Sequence, residues 1–307
     1  MKLSDDVVNW VANLAPRILL QKALLYNLTA TADFQTSLIK SFPLSGLIVP
    51  VPVGYQYQSA IAHSLAATDT RDAATLAHHL AQAIARRIST QSGGDSSAVA
   101  ILMPGLQLQV TCQGYLLITL APEAIAHWLK HVDNTPAPPF IRAEGCEPLL
   151  VSTGGSWPLC DRLHLSLPML LQWAYSRCAT WLGQLVSKDA DINPNQTTHQ
   201  PPAIDLPRVH SRNLFSTHDT LTRHLLWPTL MRALDQMAMR QQVKTGLGQG
   251  YAIAAAVYQF DAAIRLSHLP TLPEPEQLHH RSTLRATQKI LAVIITQLLG
   301  IKPTSHL

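Results

Sequence analysis

A stretch of about 35 residues with little hydrophobic periodicity, 132–166, interrupts the chain and limits what it can fold into. The stretch is rich in proline and glycine, which favour turns over helices and strands. A chain of 307 residues has room for about two domains. We therefore predict a linker over 132–166, with one domain over 1–131 and a second over 167–307.

The first predicted domain mixes helices with strands. Ser4 followed by Asp5 and Asp6 predicts a helix start with a side-chain cap, and Pro16 is expected to kink that helix. Period-two alternation in LQLQV, within 98–111, is typical of a strand. The further predicted elements are a strand over 46–58, a helix from Ser59, a helix over 70–88 starting near Thr70 and Asp72, a strand over 115–120 and a helix over 122–131.

The second predicted domain is all helical. LPMLLQWAYSRCATWLGQL, 167–185, has the apolar spacing of an amphipathic helix. Further helices are predicted over 217–242, 247–266 and 281–299, with loops at 191–207 and 270–277. The predicted fold class is therefore α+β, with a small mixed domain followed by a helical bundle.

Charge is distributed unevenly along the chain. Residues 1–204 carry 12 Lys+Arg and 13 Asp+Glu, whereas residues 205–307 carry 11 Lys+Arg and 6 Asp+Glu. A basic excess in one segment fits an anionic partner such as nucleic acid, and it equally fits an ordinary solvated helical surface.

The sequence predicts a reduced, cytoplasmic protein. The beginning, MKLSDDVV, places two acids where a signal peptide has its apolar core. The longest apolar run, ILAVIITQLLGI, is shorter than the roughly 20 residues that span a bilayer, so no membrane partner is expected. No C-x-x-C pair is present, and we expect the four cysteines to be free thiols.

Catalytic and metal-binding motifs are missing from the sequence. It contains no G-x-S-x-G, no G-x-x-x-x-G-K-[ST] and no H-E-x-x-H. GLGQG, 246–250, follows a polar turn and is expected to be a helix cap or an interhelical turn. The adjacent histidines at 78–79 and 279–280 point about 100° apart on a helix, so neither pair is expected to bind a metal. We expect no cofactor and no metal.

Aromatic residues occur beside arginines in several predicted elements. Tyr55 and Tyr57 alternate on a strand, and Trp173 and Tyr175 share a helix with Arg177. Tyr251, Tyr258 and Phe260 precede Arg265. Such groups can stack on unpaired bases while binding phosphate, although each is equally compatible with core packing.

Three segments together resemble the arginyl-tRNA synthetase family. GYQYQSAIAHSLA, 54–66, is similar to the G-D-Y-Q-S-N-x-A-x-x-L-A segment of the family's additional N-terminal domain. DAATLAHHLAQAI, 72–84, resembles its next helix, and GYLLITLAPEAIAHWL, 114–129, resembles the end of that domain. LPMLLQWAYSR resembles N-P-x-x-Y-V-Q-Y-A-H-A-R, the helix leading into the anticodon-binding DALR domain. The segment 280–307 resembles the close of the DALR domain, and 250–266 resembles the helix two elements before that end.

The chain departs from the family pattern at several positions. Gln56 and Ala60 replace the Asp and Asn of G-D-Y-Q-S-N, and Trp173 and Tyr175 replace Tyr and His of Q-Y-A-H. The nucleotide-binding catalytic domain, with its HIGH-type and KMSKS-type motifs, would fall between 131 and 167, where there is no room for it. The resemblance therefore implies a protein without its own ATP site and without its own aminoacylation activity.

The resemblance implies a tRNA-binding protein that grips an anticodon stem-loop through a DALR-type helical bundle. The tRNA would be of the arginine type. Two alternatives stay open: a protein-interaction scaffold or regulator that kept the fold and lost RNA binding, or part of an arginine–tRNA ligase acting with a separate catalytic chain. The candidate RNA-binding residues are Trp173, Tyr175, Arg177, Arg281, Arg285 and Lys289, with a weaker contact from Tyr57, Gln58 and Ser59.

Overall fold

The computed structural model describes residues 1–29, 48–51, 56–67, 71–90, 101–102, 105–139, 157–191, 220–263 and 272–305. They belong to two compact units. The first unit consists of Met1–Pro139 and Met231–Gly246, and the second consists of Phe140–Leu230 and Leu247–Leu307. The described residues are mainly helical and include one four-stranded antiparallel sheet near the amino terminus. The predicted α+β class is confirmed, while the predicted boundaries at 131 and 167 stay predictions.

The first unit opens with two helices, α1 (Asp5–Leu14) and α2 (Pro16–Thr29). Ser4 occupies the N-cap position, but its side chain makes no capping hydrogen bond, so the predicted side-chain cap is wrong. Pro16 does not kink one helix. It begins a second one, because the extended backbone at Ala15 ends α1 and proline is tolerated in a first helical turn.

The sheet of the first unit has the order β1-β2-β4-β3. Its strands are β1 (Ile48–Pro50), β2 (Gln56–Ser59), β3 (Leu106–Val110) and β4 (Leu116–Leu120). Tyr57 and Leu108 both lie opposite Ile118 on β4, so the three side chains share one face. The hairpin between β3 and β4 turns through Gly114, where φ is +81° and an added Cβ would come within 2.8 Å of the Ala73 carbonyl carbon.

Helices α3 (Ile61–Ala66), α4 (Ala73–Thr90) and α5 (Pro122–Asn134) complete the amino-terminal part of this unit. Asp72 caps α4 as predicted, with Oδ1 accepting a 2.7 Å hydrogen bond from the Thr75 amide. That bond and a second one from the Thr75 hydroxyl lower the pKa of the Asp72 carboxyl. Apolar residues of α3, α4 and β4 form one buried cluster: Ile61, Ala62, Leu65, Leu76, Ala77, Leu80 and Leu116.

The carboxyl-terminal half of α8 (Thr220–Arg240) also packs within the first unit. Asp235 accepts hydrogen bonds there from the Arg17 amide and the Tyr57 hydroxyl. Beyond the end of α8, the Leu3 amide donates a 2.9 Å hydrogen bond to the Gln241 carbonyl. The first unit is therefore built from two separate stretches of sequence, the second of which lies within the predicted helical domain.

The second unit contains α6 (Pro158–Leu163), α7 (Leu167–Asp191), most of α9 (Val243–Ala263) and α10 (Glu274–Leu299). Helix α10 packs along α7. It begins at Glu274, so the predicted loop over 270–277 is too long. The helix can start this early because proline is tolerated in a first turn and because Glu274 and Glu276 interact favourably with the positive end of the helix dipole. GLGQG lies inside the first turns of α9, so its predicted place in a cap or turn is wrong.

Among the described residues, no helix combines the length and apolar character needed to cross a bilayer.

Candidate nucleic-acid interface

Helix α7 uses one set of side chains to hold the end of the chain. Gln172 donates a 3.0 Å hydrogen bond from Nε2 to the Lys302 carbonyl, and its Oε1 accepts one of 3.1 Å from the Thr304 amide. One turn further, the Ser176 hydroxyl donates to the Ser305 carbonyl at 3.1 Å. Gln172 and Ser176 are buried, so this set packs the unit and leaves neighbouring side chains for other contacts.

The neighbouring residues Trp173, Tyr175 and Arg177 of α7 are half-buried. The Trp173 ring lies against the Tyr258 ring of α9, with centroids 5.9 Å apart and a tilt of 52°. The guanidinium carbon of Arg162, an exposed residue of α6, lies 5.2 Å from the Tyr258 centroid. An indole, a phenol and a guanidinium from three helices are therefore brought together at a partly open surface.

Arg177 is already engaged by an acid. Its Nε donates a 2.5 Å hydrogen bond to Oδ1 of Asp261, and the two side chains are 28 % and 23 % exposed. Its guanidinium also lies 5.7 Å from the Trp181 ring centroid. The Asp261 carboxylate offsets the charge that was expected to meet phosphate.

Burial and the nearby Asp261 charge raise the pKa of the Cys178 thiol to about 12. This thiol is fully buried and is therefore protonated and unreactive at neutral pH.

A second aromatic pair lies beside the first along α9. Trp157 and Tyr251 are both half-buried, and their ring centroids are 4.8 Å apart at a tilt of 48°. The Leu159 amide, in the first turn of α6, donates a 2.9 Å hydrogen bond to the Tyr251 hydroxyl oxygen. This bond fixes α6 against α9.

The cationic candidates of α10 occupy a single stripe. Arg281, Arg285 and Lys289 are spaced four residues apart, which places them on one side of the helix. Arg285 is exposed, and the other two are half-buried. The acids of α10, Glu274 and Glu276, are confined to its first turn.

The candidates in β2 face the interior of the first unit. Tyr57 is 3 % exposed and donates to Asp235 Oδ2, while Ser59 is fully buried and accepts a 3.3 Å hydrogen bond from the Ile61 amide. Burial, then the charge of Asp235 and the hydrogen bond to it, raise the Tyr57 pKa well above its ordinary value. Only Gln58 of the three is partly open to solvent, so Tyr57 and Ser59 act here as packing residues.

The sequence does not identify Arg162 and Trp157 as candidates, because both fall in the predicted linker over 132–166. Their only signal is Pro158, which is typical of a first helical turn. Tyr55 and Arg265 lie outside the described residues. Within the described parts of the chain, no three His, Cys, Asp or Glu side chains are arranged to hold a metal ion.

No protein-family model matches this chain, and no curated protein or solved structure is detectably similar to it.

Proposed function

We propose that this chain is an RNA-binding protein that takes tRNA through its helical second unit and has no aminoacylation site of its own. The observation that carries the proposal is the grouping of Trp173, Tyr258 and Arg162 at a partly open surface. The resemblance of 167–177 and 280–307 to the anticodon-binding helices of arginyl-tRNA synthetases supports the choice of tRNA and of its anticodon stem-loop.

The chemistry of the grouping suits an unpaired base. The π face of every base stacks on an indole or phenol ring, and each such contact contributes about 1–3 kcal/mol. A guanidinium beside the ring adds attraction to phosphate and to the ring itself. Bases in a duplex are not accessible to such a surface, whereas those of a loop are.

The stripe of Arg281, Arg285 and Lys289 supplies the long-range attraction. Because Asp261 offsets Arg177, we assign the phosphate contact at the aromatic grouping to Arg162, and the stripe adds positive charge along α10. Lys and Arg that neutralise phosphates release condensed counterions, so binding should weaken steeply as salt rises.

The test is a titration of the purified chain with bulk tRNA at about 50 and 200 mM salt. Arg285→Glu with Lys289→Glu should weaken binding at least tenfold and reduce the salt slope by about two. Lys22→Glu with Lys130→Glu, two exposed lysines of the first unit, is the matched control because it changes the net charge equally. Salt-independent binding, or equal loss in both double variants, would contradict the proposal.

The alternative of a protein scaffold is favoured by one observation, the Asp261 carboxylate that occupies Arg177. It predicts that Asp261→Asn leaves tRNA affinity unchanged. If the chain binds RNA, Asp261→Asn should instead raise tRNA affinity, because an RNA phosphate no longer competes with the Asp261 carboxylate for Arg177. Arginine-dependent ATP–pyrophosphate exchange by the isolated chain would show that an adenylation site is present after all.

A further inference from the structure

Two tyrosines of α9 repeat at a spacing that puts them on the same side of the helix. Tyr251 and Tyr258 are seven residues apart. At 3.6 residues per turn and 1.5 Å per residue, they lie roughly 20° apart around the axis and about 10.5 Å apart along it. Each is paired with a tryptophan from another element, Trp157 at the first stacking site and Trp173 at the second.

The two stacking sites have the same construction. In both, a half-buried indole leans on a half-buried phenol, with ring tilts of 48° and 52°. Neither pair is packed face to face, and all four residues are half-buried, so part of each pair is open to solvent, with Arg162 lying over the Tyr258 ring at the second site. Nothing in the sequence pattern alone relates Trp157 to Tyr251, since 93 positions intervene between them in the chain.

Short helix α6 follows α9 from one site to the other. Its first turn is fixed to Tyr251 by the Leu159 amide, and its Arg162 guanidinium reaches the Tyr258 ring. Arg162 is exposed, so α6 places a positive charge at the second stacking site. The neighbouring acid, Asp161, points about 100° away around the helix.

We propose that Trp157–Tyr251 and Trp173–Tyr258 are two stacking sites for one single-stranded RNA segment, which places two non-adjacent bases on them and a backbone phosphate at Arg162. This inference rests on the proposed RNA-binding function and names the form of RNA bound. The separation of about 10.5 Å is three times the roughly 3.4 Å rise between stacked nucleotides. Two neighbouring bases that remain stacked on each other therefore cannot fill both sites, and the segment spans at least three nucleotides.

The test measures binding of the full chain to labelled oligouridylates of one to six nucleotides and, in parallel, to bulk tRNA. For the parent chain, affinity should rise sharply once the oligonucleotide is long enough to reach both sites. Trp157→Ala and Tyr251→Leu should each remove that rise and weaken binding of the hexamer about 5- to 150-fold, the range expected for one lost base stack. Tyr251→Phe keeps the ring but removes the hydroxyl that accepts the Leu159 hydrogen bond, so it should keep the length-dependent rise and weaken hexamer binding less than Tyr251→Leu does.

Tyr26→Leu, at a 39 % exposed tyrosine of the first unit, is the matched control and should leave hexamer affinity unchanged. Melting curves identify any variant that fails to fold. If either Trp157→Ala or Tyr251→Leu fails to fold, the hexamer affinity of the other variant tests the first stacking site. If tRNA binds and responds to Trp173→Ala, but not to Trp157→Ala or Tyr251→Leu, the two-site inference is overturned and the proposed function stands. If the parent chain binds neither tRNA nor the hexamer, the proposed function fails and the inference fails with it.

Discussion

The Tyr57 hydroxyl donates a 2.9 Å hydrogen bond to Oδ2 of Asp235, a residue 178 positions further along the chain. The other carboxyl oxygen of Asp235 accepts a 2.9 Å bond from the Arg17 amide. Asp235 is 2 % exposed, and Tyr57 and Arg17 are buried with it. A strand, a helix of the amino-terminal region and the end of α8 therefore meet at one buried carboxyl group.

The first prediction concerns the pH dependence of this contact. Burial raises the pKa of Asp235 from 3.8 to about 7, although both hydrogen bonds act in the opposite direction. The folded protein therefore holds a proton that the unfolded chain releases between about pH 4 and 7. Stability from this group is fully present below about pH 4 and is lost as pH rises through about 7.

Asp235→Asn should remove this dependence. Between pH 5.5 and 8.5 the parent chain should lose about 2 kcal/mol of unfolding free energy through Asp235, whereas the Asn variant should not. Urea unfolding of both proteins at the two pH values provides the measurement. The same pH dependence in parent and variant would show that Asp235 does not titrate in this range.

The second prediction concerns the hydroxyl group of Tyr57. Tyr57→Phe removes a buried donor and leaves Oδ2 of Asp235 without its partner, which should cost about 1–3 kcal/mol of unfolding free energy. Tyr175→Phe removes the same atom from a half-buried ring of α7 and should change stability by less than about 0.5 kcal/mol. Equal effects of the two variants in urea unfolding would mean that the bond to Asp235 contributes nothing.

The third prediction separates two glycines of α9. A Cβ at Gly250 would lie 3.0 Å from Cγ2 of Ile294 and 3.3 Å from Cδ2 of Leu171, whereas a Cβ at Gly248 would meet nothing within 4 Å. Gly248→Ala should therefore stabilise the helix by up to about 1 kcal/mol. In Gly250→Ala the same gain is outweighed by an overpacking cost of about 1–3 kcal/mol, because Ile294 and Leu171 are fully buried. Melting temperatures that rise equally in both variants would contradict the close approach at Gly250.

Hydrophobic periodicity predicted where the long helices occur, but not where α2, α9 and α10 begin. The apolar faces around Leu76 and Leu80 in α4, and the alternation in β3, follow from local spacing alone. The pairing of Tyr57 with Asp235 could not be predicted, because nothing near either residue encodes a contact across 178 positions. The same holds at the candidate interface: the sequence identified Trp173 and Arg177, but not Arg162, nor the Asp261 carboxylate that holds Arg177.

The last prediction concerns folding of the first unit from its two stretches. Leu234, Met237 and Val243, which belong to this unit, are at most 7 % exposed, and Asp235 is the acceptor for Tyr57. A fragment of residues 1–139 lacks these groups, so it should unfold without a cooperative transition or at much lower urea than the full chain.

Adding a peptide of residues 228–248 in excess should restore cooperative unfolding of this fragment, because a ligand that binds only the folded state stabilises it. The same peptide carrying Asp235→Leu should stabilise the fragment less, because leucine supports the helix but cannot accept the hydrogen bond from Tyr57. Cooperative unfolding of the 1–139 fragment at the urea midpoint of the full chain would show that Met231–Gly246 adds no stability to the unit.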